Sequence, residues 1–147
     1  MDQLTGPKQQ ALQAYEQLHT LKLEALGPVR QHLADQRKTS LGYEILGAVS
    51  FLGECGEPDL RVGDVCRMIL TWWLDGDMYR CCRYFEYHLT AQDMKRFFNT
   101  HTFLTFEDLQ LKAAEHALEA ARKNGKSDGA FEDLRVKRIQ QLRAHAQ

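Results

Sequence analysis

Cys81, Cys82 and His88 fall within eight positions of one another, and Cys66 lies fifteen residues upstream of Cys81. They belong to the stretch WWLDGDMYRCCRYFEYH, Trp72 to His88, which holds both tryptophans and six of the fourteen aromatic residues of the chain. Thiolate and imidazole are the ligands of a tetrahedral zinc site, and ligands on one helix share a face only when they stand three or four apart. Here Cys81 and His88 are separated by roughly 10 Å of helix rise, and adjacent cysteines diverge by about 100° around the axis. No CxxC or HxxxH pair occurs, and the six histidines are scattered. The spacing predicts no metal centre, and no nucleotide or cofactor motif points to a bound cofactor.

A nucleophilic cysteine needs an electropositive, accessible setting. Arg80 and Arg83 flank the pair, but Cys81 and Cys82 share a helical stripe with Met78, Phe85 and Leu89, the natural inward face. GxSxG, HExxH and P-loop patterns are missing from the chain, and the acidic cluster Glu54, Glu57 and Asp59 has no evident acid–base partner. The expectation is a protein that is not an enzyme, with a thiol-dependent enzyme at Cys81 or Cys82 as the third-ranked reading.

The opposite face is richer. With the cysteines inward, Tyr79, Arg80, Arg83, Tyr84 and Tyr87 point outward, and Trp72 tends outward if its neighbour Trp73 joins the core. Arginine, tyrosine and tryptophan are the residues that dominate hot spots at protein interfaces. The first reading is therefore an intracellular protein-interaction module, an adaptor, chaperone or inhibitor, binding another protein through Trp72, Tyr79, Arg80, Arg83, Tyr84 and Tyr87. The alternative is a helix-turn-helix DNA-binding regulator, dimeric through amphipathic terminal helices. In it the second helix enters the major groove, with Lys95 and Arg96 joining Tyr84 as phosphate contacts. Against it, Leu60 to Arg96 carries six basic and five acidic residues, no electrostatic footprint for nucleic acid.

Helices must position these residues. Only three prolines interrupt the chain, and period-3.6 patterns run between them. A first helix is expected from Pro7 to Leu26, with Leu12, Tyr15, Leu18 or Leu23, and Leu26 apolar, stopped by Gly27-Pro28. A short polar helix, PVRQHLADQR, follows; then Thr39 or Ser40 caps a third with Leu41, Ile45, Val49 and Leu52 on one face. After the loop GECGEPD, a fourth carries Val62, Val65, Cys66, Ile69, Leu70 and Trp73 and ends at Asp75-Gly76-Asp77. A fifth runs from Met78 to Leu89. Capping patterns Thr90–Asp93 and Thr105–Asp108 open the next two, the second a long helix ending near Lys123-Asn124-Gly125. The polar hinge at 124–129 leads to a last helix, Ala130 to Ala144, with Phe131, Leu134, Ile139 and Leu142 apolar and Arg135, Lys137, Arg138 and Arg143 as a solvated basic face. Phe-Glu-Asp-Leu occurs at both Phe106 and Phe131, yet two copies fall short of a solenoid.

The expected fold is all-α, a compact bundle of six to eight helices in one domain, 1–147, with a helix-turn-helix-like hairpin in the middle. Nineteen basic and twenty acidic residues leave a net charge of -1, so no global field draws the chain to nucleic acid or anionic lipid. Its apolar runs are too short to span a bilayer, and MDQLTGPKQQ lacks the charge and apolar regions of a signal peptide. Four cysteines in 147 residues suit a reducing compartment, which points to the cytoplasm, and a homodimer accords with the amphipathic terminal helices.

Overall fold

A computed structural model describes residues 1–21, 23–42, 45, 60–75, 91–101, 104–123 and 129–145. The fold is all-α. Among the described residues a 3-10 turn, Asp2–Thr5, precedes α1 (Lys8–Leu21), α2 (Leu23–Gln31), α3 (Val62–Asp75), α4 (Ala91–Thr100), α5 (Phe106–Lys123) and α6 (Gly129–His145). None of these helices is long and apolar enough to cross a membrane. The chain divides into two compact units, Met1–Leu70 and Thr71–Gln147, with the boundary inside α3.

In the first unit, α1 does not turn its large apolar residues fully inward as its periodicity suggests. Ala11 and Ala14 are the buried positions, while Leu12, Tyr15 and Leu18 are half-buried, because small side chains permit the closest approach of the backbone. Gly27-Pro28 does not stop the helical chain either; α2 contains Pro28 and continues to Gln31. Proline deletes one i→i−4 hydrogen bond, here to the carbonyl of Glu24. Glu24, Gly27 and Pro28 are exposed, so water can satisfy that carbonyl, while Ala25, Val29 and Leu33 hold the other side in the core. The separate polar helix expected at PVRQHLADQR is therefore absorbed into α2 and the turn that follows it.

A loop after α2 sets the start of α3. Asp35 accepts hydrogen bonds from the Arg37 backbone N–H at 3.0 Å and from its guanidinium Nε at 3.1 Å, and pairs with His32 Nδ1 at 2.8 Å. The other end of the Arg37 guanidinium reaches Asp2 at 2.7 Å. The backbone bonds Thr39 N–H to Leu60 carbonyl, 3.0 Å, and Val62 N–H to Arg37 carbonyl, 2.9 Å, then tie this loop to the entry of α3. There Asp64 Oδ2 accepts the Arg61 N–H at 2.9 Å, capping a donor that the helix leaves unused. Gly63 sits so close to the loop that a Cβ on it would stand 2.7 Å from the Leu33 carbonyl oxygen. Thr39 does act as a turn-forming hydroxyl, accepting the Leu41 N–H at 2.7 Å, whereas Ser40 donates to the Gly6 carbonyl instead. Most of the third helix expected from the sequence lies outside the described residues.

α3 is the buried helix that its sequence predicts. Val62, Val65, Cys66, Ile69, Leu70, Trp73 and Leu74 are all at or below 2% exposure. Fully burying a side chain of this size stabilises by about 1.5–3 kcal/mol relative to leaving it in water. Burial also pushes the Cys66 thiol up to about 12, with Asp35 adding to the shift, so this cysteine is a small hydrophobe rather than a nucleophile.

In the second unit, α4 buries Met94, Phe97 and Phe98. α5 opens where the capping pattern places it: Thr105 Oγ1 accepts the Asp108 N–H at 3.2 Å and donates to Asp108 Oδ2 at 2.8 Å. Leu109, Ala113, Ala114, Ala117, Leu118 and Ala121 of α5 are buried. α6 runs antiparallel to α5, so Glu115 meets Arg143 at 2.7 Å and Arg122 meets Glu132 at 2.8 Å. Between these pairs Ala114, Leu118, Ile139 and Leu142 form an apolar cluster flanked by Leu111 and Val136.

The inward face of α6 differs from its expected one. Leu134 is 41% exposed, while Arg135 is 2% exposed and shares the buried side with Ile139 and Leu142. Residues 135, 139 and 142 are spaced i, i+4, i+7 and lie on one stripe, from which Leu134 is turned about 100°. Hence the arginines of this helix are not one solvated face.

Candidate binding surface

Trp72 and Trp73 sit in the last turn of α3, and one residue of helix rotation separates their fates. Trp73 is 2% exposed beside Thr71 and Leu74, whereas Trp72 is half-buried. The last carbonyls of a helix lack intrahelical partners. Gln110 of α5 supplies one here, donating from Nε2 to the Trp73 carbonyl at 2.8 Å. This bond anchors the last turn of α3, to which Trp72 belongs. The Trp73 indole Nε1 is buried and finds no acceptor among the described residues.

Lys95 and Arg96 are exposed on α4, opposite Met94, Phe97 and Phe98. Arg96 pairs with Asp93 one turn earlier at 2.6 Å, and Arg67 on α3 pairs with Asp64 in the same i, i+3 relation. Each guanidinium is already neutralised by a carboxylate on its own helix. Tyr79, Arg80, Arg83, Tyr84 and Tyr87 lie outside the described residues, as do Asp75-Gly76-Asp77 beyond Asp75, the expected fifth helix, and Cys55, Cys81, Cys82 and His88.

The histidines are less incidental than their scatter suggests. His101 directly follows α4, its Nδ1 donating to the Phe97 carbonyl at 2.8 Å and its ring lying 4.5 Å from that of Phe97; His116 approaches the same ring at 5.8 Å. His19 stands edge-on to Tyr15 at 4.4 Å, and burial pushes its imidazole below the ordinary value. Among the described residues no three of His, Cys, Asp or Glu come together as a metal site.

Two features escaped sequence reasoning. Arg135 gave no signal beyond its i, i+4, i+7 spacing to Ile139 and Leu142. Gln110, a polar residue within an amphipathic helix, has no pattern that announces a cap for another helix.

No family model, no curated protein and no solved structure matches the chain.

Proposed function

We propose that this chain is a non-enzymatic protein-interaction module whose binding surface is built around Trp72, together with the tyrosines and arginines of 79–87. The observation that carries this reading is the half-buried Trp72 on a helix end held by Gln110. A large aromatic presented from a fixed backbone loses little conformational freedom on binding, the property that favours tryptophan at hot spots. The neutralised Arg67 and Arg96 and the net charge of -1 support a protein partner over a phosphate backbone.

Capture by the immobilised full chain, with and without nuclease, tests this. Wild-type protein retains a specific protein partner regardless of nuclease. Trp72→Ala keeps the wild-type ellipticity and loses about 2 kcal/mol of binding, ~30-fold in Kd. Capture that requires nucleic acid and collapses with added salt would transfer the function to the DNA-binding reading. A Trp72→Ala protein that unfolds, or that binds as the wild type does, overturns the proposal.

A further inference from the structure

We draw no further inference here: the strongest candidate, the cleft of about 330 Å³ floored by Leu118, Val136 and Ile139 along the seam of α5 and α6, is bracketed by the pairs Glu115–Arg143 and Arg122–Glu132, which already close on each other within the hairpin, and nothing in the structure shows what fills it.

Discussion

The tetrapeptide Phe-Glu-Asp-Leu enters two helices of this molecule with two different outcomes. In α5 it is the first turn itself, preceded by Thr105, whose hydroxyl caps the helix, and its leucine, Leu109, is 3% exposed. In α6 the helix has already begun at Gly129, Ala130 stands where the capping threonine would be, and Leu134 is 41% exposed. Three residues past each leucine comes a lysine, and three further the copies part again. Lys112 meets Glu115 at 2.9 Å, whereas Lys137 is followed at that offset by Gln140. The same four residues thus promote a helix twice, because acidic side chains suit its amino end. They do not decide which side of the helix is buried. That depends on residues outside the motif, Ala113 and Ala117 behind Leu109 in one case and the 135–139–142 stripe in the other.

Leucine truncation probes the contrast most sharply. Leu109→Ala should destabilise by about 2–5 kcal/mol, and Leu134→Ala by less than about 1 kcal/mol, read as the difference in urea midpoints at unchanged m-value. Equal losses would mean that Leu134 is covered in solution. Thr105→Ala should cost about 1 kcal/mol by leaving the Asp108 N–H uncapped, whereas Ala130→Thr should gain nothing comparable, since α6 begins ahead of it. The smallest effect concerns the carboxylate that only the first copy possesses. Hydrogen bonds from Arg143 and then Lys112 hold the Glu115 carboxyl below its ordinary value of 4.5. A lowered folded value contributes stability that is complete above 4.5 and is lost as pH falls through the folded value. Arg143 is 62% exposed, so screening keeps this pair below about 1 kcal/mol. Arg143→Gln should therefore be slightly less stable than wild type at neutral pH, with the difference closing in acid as Glu115 protonates.

Local signals were legible where burial and helix register agree. The inward face of α3 reads directly from Val62, Val65, Cys66, Ile69, Leu70 and Trp73, since one strong stripe leaves no other solution. The opening of α5 follows from Thr105 and Asp108, whose bonding needs no distant partner. Legibility ended where distant chain decides. Leu134 and Ile139 are five positions apart, about 140° around the helix, so both could not face α5 and periodicity alone could not choose between them. Pro28 looked like a stop because the removed hydrogen bond is a local cost, while the burial of Ala25, Val29 and Leu33 that outweighs it is not. Of the residues proposed for binding, Trp72 was legible as the more exposed member of its pair because Trp73 completes the α3 stripe. The neutralisation of Arg96 by Asp93 was legible in principle from their i, i+3 spacing.

Gly63 constrains more than packing. Its α-carbon lies against peptide oxygens of Leu33 and Asp35, atoms that no rotamer change can move aside. Every other amino acid carries a Cβ, so any substitution at Gly63 must push the start of α3 away from the backbone of residues 33–35. A glycine two residues after Arg61 of the Lys38–Arg61 bridge, followed at once by the capping aspartate Asp64, thus acts as a gauge that sets how closely the start of α3 can approach the loop after α2.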